Sequence, residues 1–206
     1  MEPKNSPGDE TITHSYFNNK ADIWDDKIAE KDSVKLGSMA NNLDIQPGST
    51  VLDVGTGTGI FVPFLLKKVG NKGKLVCLDS ADKMLEKARA KNFKGNIEYV
   101  CSDISSTRFA DKSFDAVVCY SSFPHFHDKF KSLKEISRVL KKGGKLFICH
   151  TSSRSAIHEI HLHVPELSHD LIPDYKEMQQ LLLSAGFSEI SIHDEAGSYL
   201  AKAEKL

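Results

Sequence analysis

The sequence predicts an α/β fold: a doubly wound, mostly parallel sheet of seven strands, with an antiparallel C-terminal strand and helices on both faces. Three observations carry this. Short apolar runs of strand length alternate with longer helix-like segments from residue 51 to residue 150, which is the pattern of successive βα units. The first run, Val51-Leu-Asp-Val54, stops in three glycines on alternate positions, Gly55, Gly57 and Gly59, and a helical stretch follows. Strand, glycine turn and helix make the opening half of a nucleotide-binding βαβ unit, with its ligand at the carboxyl end of the strand. The first three strands also each carry an acid near that end, Asp53, Asp79 and Asp103.

Composition sets the frame. The chain has 206 residues, 40% hydrophobic and 27% charged, and 1–206 reads as a single domain with an ordinary core. A formal net charge of −1 gives no electrostatic pull towards nucleic acid or an anionic membrane surface. No apolar run is long enough to span a bilayer. Met1–Glu10 is polar and lacks the apolar core of a signal peptide, so a cytoplasmic protein is expected. Four cysteines, Cys77, Cys101, Cys119 and Cys149, lie in or beside strand-like runs with no C-x-x-C pair. They read as reduced, buried thiols.

Taken in order, residues 1–12 are expected to fray. Tyr16, Phe17 and Trp24 follow in one short segment, either as core over the sheet edge or as part of a helical lid spanning about 12–44. Within it, 33–44 is an amphipathic helix with Val34, Met39, Ala40 and Leu43 on one side. After strand 51–54 come a helix at 60–69, a turn at 70–73 and a second strand at 74–79. Asp79 stands 20 residues beyond Gly59, where a doubly wound sheet places the carboxylate that accepts from ribose hydroxyls. The other reading is that Asp79 or Ser80 caps the helix at 81–91. The third strand is 96–103 and the fourth, 113–120, pairs beside the first. A helix at 130–140, with Leu133, Ile136, Val139 and Leu140 inward, is ended by Lys141-Lys-Gly-Gly144. The fifth strand is 145–150. A helix at 175–185 closed by Gly186 leads to a final antiparallel pair, 187–193 and 198–203.

The ligand class turns on the glycine spacing. A dinucleotide fingerprint would put its third glycine at Ile60, which argues against a nicotinamide oxidoreductase. The run Leu52-Asp-Val-Gly-Thr-Gly-Thr-Gly59 instead resembles the first motif of the class I S-adenosylmethionine-dependent methyltransferases, which have a Rossmann-like fold. The likeness extends from about 14 to 150, including Ile136-Ser-Arg-Val-Leu-Lys-Lys-Gly-Gly144, and resumes at 174–203. It is similar to the small-molecule, ubiquinone/menaquinone-methyltransferase-like branch. The resemblance implies S-adenosyl-L-methionine as cofactor, with the glycine loop (Asp53, Gly55, Gly57, Gly59) facing its amino-acid moiety and ribose. It implies Asp79 and Ser80 at the ribose, and Asp103 and the Ile104 N–H at the adenine edge. Met84 would pack on the base, with plain core as the other reading, and Tyr120 would stand near the reactive end. A similar Tyr-Phe…Trp-Asp segment in the family folds over the cofactor.

Residues after the fourth strand face that reactive end. Methyl transfer is an in-line displacement in which the protein aligns donor and nucleophile and removes a proton where one must go. His125 is the candidate base for a small-molecule acceptor. The loop lacks the [D/N]-P-P-[Y/F] motif of nucleobase methylation, so no nucleic-acid partner is expected. Residues 151–173 form a histidine-rich insert, starting as a helix capped by Ser152 or Ser153, with His158 and His161 on one face. Two readings compete. In one, Tyr16, Trp24, His150, His158 and His161 line a substrate pocket. In the other, His125, His158, His161 and His169 hold a transition metal. The second also leaves open a methyltransferase-fold protein that binds a metal or partner with little turnover.

Overall fold

The computed structural model describes residues 9–27 and 31–206. For residues 1–8 the expected fraying lies outside the described residues, while Asp9 onward is helical. In chain order the elements are α1 (Asp9–Lys20), a 3-10 turn at Ala21–Ile23, α2 (Trp24–Lys27), α3 (Ser33–Asn41), β1 (Thr50–Val54), α4 (Val62–Val69), β2 (Lys74–Asp79), α5 (Asp82–Ala90), β3 (Ile97–Cys101), β4 (Phe114–Tyr120), α6 (Lys129–Val139), β5 (Leu140–His150), α7 (Arg154–Leu162), α8 (Tyr175–Ala185), β6 (Phe187–Glu195) and β7 (Ser198–Lys205).

The seven strands lie in the order β3-β2-β1-β4-β5-β7-β6. All pairings from β3 to β5 are parallel, and β7 runs antiparallel to both neighbours. The chain winds outward from β1 to β3 and then returns to β4 on the other side of β1. The strand order therefore reverses between β1 and β4, which opens a crevice at their carboxyl ends.

Strand alternation sorts the core into two layers. Leu52, Val54, Val76, Leu78, Val117 and Cys119 pack with α6 and α8 through Leu133, Ile136, Met178 and Leu182. Val51, Leu75, Cys77, Ala116 and Val118 pack with α3 and α4 through Leu36, Met39, Val62 and Leu65. The apolar runs of β1 and β4 are nearly continuous because helices cover both faces.

Three local expectations are corrected. Val34 is exposed and Leu36 is buried in its place. Asp32 caps α3 by accepting from Val34 and Lys35 N–H, and that frame aligns Leu36, Met39, Ala40 and Leu43 at helical spacing instead. Lys141–Gly144 does not end α6, and the fifth strand does not wait for residue 145: Leu140 is already extended, and the segment opens β5, with a register shift against Phe114–Ala116. Cys101 is exposed on the edge strand β3, while Cys77, Cys119 and Cys149 are buried. Other features match. Ser153 caps α7 by accepting from Ala156 N–H, and Gly186 closes α8 at φ 96°. Among the described residues no helix is long and apolar enough to cross a membrane.

Candidate active site

A cavity of about 970 Å³ opens at the carboxyl ends of β1, β2 and β4, at the upper end of the range for small-molecule sites. One half is made by strand ends. The N–H groups of Gly55 and Thr56 both donate to the Leu78 carbonyl, at 2.8 and 3.0 Å, which folds the glycine loop back over β2. Gly55 has φ 69°, and a Cβ there would lie 2.3 Å from the Cβ of Ser122. Ser122 in turn donates its hydroxyl to the Val54 carbonyl at 2.6 Å, so the loops after β1 and β4 are stitched together. Gly57, at φ 55°, has open space where a Cβ would be, and its N–H donates to Asp79 Oδ2 at 2.7 Å.

The acids do not share one role. Asp79 lines the cavity and accepts from Gly57 and, at 2.8 Å, from Ala81 N–H. Each oxygen keeps a lone pair for a further donor. Burial pushes its carboxyl above the ordinary range. Asp103 also lines the cavity, beside Ile104, and accepts from Ser105 N–H at 2.6 Å. Asp53 does not line it. Its side chain is buried behind the loop, where it accepts the Thr56 hydroxyl, and desolvation raises its pKa to about 7. Gly59 is likewise absent from the wall, and a Cβ there would meet Phe93 at 2.8 Å and Ala88 at 3.3 Å. These two sequence candidates support the loop from behind.

Met84 is buried at the wall with Ala81, Phe17 and Trp24 around it. Ser80 lines the cavity too, and its carbonyl accepts from His14 Nε2 at 3.1 Å. Tyr120 is stacked on Phe61, with ring centroids 4.4 Å apart and planes at 16°, and its hydroxyl meets Thr151 Oγ1 at 3.1 Å. On the open side, Thr58 donates its hydroxyl to Asp25 Oδ1 at 2.5 Å, and Asp25 pairs with Lys91 at 2.7 Å. Of the expected 12–44 lid, α1 and α2 line the cavity through residues such as Tyr16, Phe17 and Trp24. The helix α3 packs against α4 and the sheet.

The other half is made of side chains from separated pieces. His125 ends a 3-10 turn, Phe123–His125. Its Nδ1 lies 2.7 Å from Asp170 Oδ2. A carboxylate only accepts, so Nδ1 carries the hydrogen and Nε2 is the basic nitrogen of the neutral ring. The ring of Phe17 meets His125 edge-on at 4.9 Å, and that of His161 lies 4.9 Å away on another side. His161 Nδ1 donates to the Asp170 carbonyl at 2.5 Å. Burial, then the neighbouring His125, push the His161 pKa down, which keeps its ring neutral with Nε2 as an acceptor. Lys129 donates to the carbonyls of Pro124 and Phe126, at 2.9 and 3.2 Å, and burial lowers its pKa.

His150 and His169 line the cavity, and His150 Nδ1 meets Ser121 Oγ at 3.2 Å. His158 does not line it. It shares a helix face with His161 as expected, but that face meets the 170–172 segment, and His158 Nε2 accepts the Ile172 N–H at 3.0 Å. The His125, His158, His161 and His169 set is therefore not assembled. Among the described residues no group of three or more His, Cys, Asp or Glu side chains is placed to hold a metal ion.

Residues 52–148, from β1 through most of β5, match the methyltransferase domain family. The ubiquinone/menaquinone biosynthesis C-methyltransferase of Klebsiella pneumoniae is 27% identical over 184 residues, covering 76% of this chain and 73% of that protein. Residues 52–148 are a methyltransferase domain, and the chain is similar to S-adenosylmethionine-dependent methyltransferases. Solved structures share the fold. An S-adenosylmethionine-dependent methyltransferase from Aquifex aeolicus superposes with a TM-score of 0.72 at 24% identity, over 92% of this chain and 98% of that one. The chain seen in complex with the Trm112 methyltransferase activator of Haloferax volcanii gives 0.78 at 21% identity, over 91% and 96%.

The residues of this methyltransferase fit a sulfonium nucleoside. Asp79 offers acceptors for a vicinal diol, Met84 an apolar wall, and Gly57 an open approach to the backbone. Sequence reasoning missed Asp170, Lys129, Ser122 and Asp25. Asp170 adjoins His169 between two prolines, and that dipeptide was the signal, although it drew attention to the histidine. Lys129 sits among other lysines in a surface-like helix start and carries no signal of its own.

Proposed function

We propose that this methyltransferase methylates an apolar small molecule bearing an ionisable X–H group. The acceptor lies between α1–α2 and the 151–173 insert of a single 1–206 domain. The observation that carries this is the His125–Asp170 pair at 2.7 Å on the cavity wall.

In this reading Gly55 and Gly57 shape the loop around the methionine moiety, and Asp79, beside Ser80, takes the ribose hydroxyls. Asp103 and the Ile104 N–H meet the adenine edge, and Met84 packs on its face. Asp53 and Gly59 act from behind the loop, and Tyr120 backs the reactive end. When bound, S-adenosylmethionine supplies an electrophilic methyl on sulfur. His125 Nε2 takes the acceptor's proton, while Asp170 fixes the ring's tautomer and steadies the imidazolium. Tyr16, Phe17 and Trp24 cover the site from the N-terminal side, with His161 and His150 as polar points on the wall. Holding donor and nucleophile in line supplies most of the remaining acceleration.

The test is calorimetric titration with S-adenosylhomocysteine, followed by transfer of labelled methyl to a pool of phenols, thiols and amines. Wild type is expected to give a binding heat, and Asp79→Ala to weaken binding about 100-fold through loss of charged hydrogen bonds. A folded wild type with no heat overturns the cofactor assignment. Labelled product among the amines alone would overturn the ionisable-acceptor assignment.

A further inference from the structure

The charge of Lys129 is not accounted for by the reaction above. Lys129 is the first residue of α6, so its ammonium stands at the positive end of a helix, where a cation is disfavoured. It also lines the cavity. Burial lowers its pKa, a second penalty on the same charge. An ammonium has three N–H donors. Two go to the Pro124 and Phe126 carbonyls, which flank His125. These are neutral groups, and against burial only the longer-range attraction of Asp170 and Glu177 acts on the charge, which offsets the burial only in part. Among the described residues no carboxylate stands within ion-pair distance of Lys129. The nearby Asp170 carboxylate is engaged by His125 instead.

We infer that Lys129 anchors a carboxylate on the methyl acceptor, its remaining N–H donating to a carboxylate oxygen beside His125. This rests on the reading of the insert side of the cavity as the acceptor site. The insert side of the cavity wall carries the apolar Phe126, Ile157 and Leu167 along with the acids Glu166 and Asp170. A single negative charge on an apolar body is therefore what this subsite takes. A desolvated cation gains most from one anionic partner and little from a neutral one. Lys129 also holds the turn that carries His125, so carboxylate and base are set on one short segment. The acceptor's X–H group is then expected within a few bonds of its carboxylate.

The experiment uses the full chain loaded with S-adenosylhomocysteine and two probes of one shape, benzoate and benzamide, titrated by calorimetry. Wild type is expected to prefer benzoate about tenfold or more. Lys129→Gln keeps hydrogen-bond donors without the charge, and should bring the ratio close to one. Lys129→Arg should keep a clear preference. In lysine-labelled wild type, the Lys129 side-chain resonance should move with benzoate and stay with benzamide, which decides the matter even if the glutamine variant does not fold. Equal affinities, no binding of either probe, or a preference that survives Lys129→Gln overturns the assignment. The S-adenosylhomocysteine heat is read first in the same samples. Normal heat without benzoate preference sinks the Lys129 inference alone, whereas absent heat sinks the cofactor assignment beneath it.

Discussion

The two halves of the cavity are built by different means. On the glycine side, position comes from main chain: Leu78 O holds Gly55 and Thr56, and Gly57 N–H meets Asp79. Strand register places all of these, and parallel register is fixed once the sheet forms. On the insert side, position comes from side chains that meet only after the chain has folded. The His125–Asp170 bond spans 45 residues of sequence, and His161 reaches Asp170 from a third element. A main-chain site of this kind tolerates sequence change as long as the strands pair. A side-chain site lets each residue be exchanged, so it is where specificity changes cheaply.

The largest expected effect separates the halves outright. His125→Gln should slow methyl transfer by about 10²- to 10⁴-fold, the usual worth of a general base, while S-adenosylhomocysteine affinity stays within about twofold. Single-turnover rates beside calorimetry check this, and a parallel loss of cofactor affinity would erase the division. Asp170→Asn should fall in the same direction by less.

The next concerns the ground behind the glycine loop. Asp53 keeps its proton to about pH 7 when folded but releases it near pH 4 when unfolded, so rising pH through that window destabilises the fold, by up to about 4 kcal/mol. Asp53→Asn should remove much of this slope. Urea midpoints from pH 4.5 to 8 would show it, and identical slopes for the two proteins would refute the assignment.

Gly55→Ala combines a φ of 69° with a Cβ 2.3 Å from that of Ser122, and should cost roughly 2–3 kcal/mol of stability. Adding Ser122→Gly should restore part of this in a double-mutant cycle of thermal melts. Additive losses would mean that the two loops are not coupled. The smallest effect belongs to Asp25→Ala, which frees Thr58 and Lys91. A two- to threefold loss of S-adenosylhomocysteine affinity is expected, as for exposed pairs, and the difference should shrink in high salt.

The same division decides what could be read from sequence. The strands, the pairing of the fourth beside the first, and the places of Asp79, Asp103, Gly57 and Met84 on the cavity wall were legible because apolar runs mark strands and a doubly wound sheet opens its crevice at their ends. Asp53 and Gly59 lie in the same motif yet face backward. Strand alternation turns Asp53 away, and Gly59 is required by Phe93, a contact 34 residues distant that no local pattern encodes. His158 and His161 were correctly placed on one face, but which of them reached the cavity depended on where residues 170–172 fell. Asp170 and Lys129 stayed hidden because their importance lies in partners, not in spacing.

The Ser122 hydroxyl on the Val54 carbonyl has a consequence for how such an enzyme changes its diet. In the function proposed above it mounts the methyl donor's cradle and the proton acceptor on one bracket, so the gap between them would not depend on what is being methylated. New acceptors would then be gained by rewriting the stretch from 151 to 173 while the chemistry stays put.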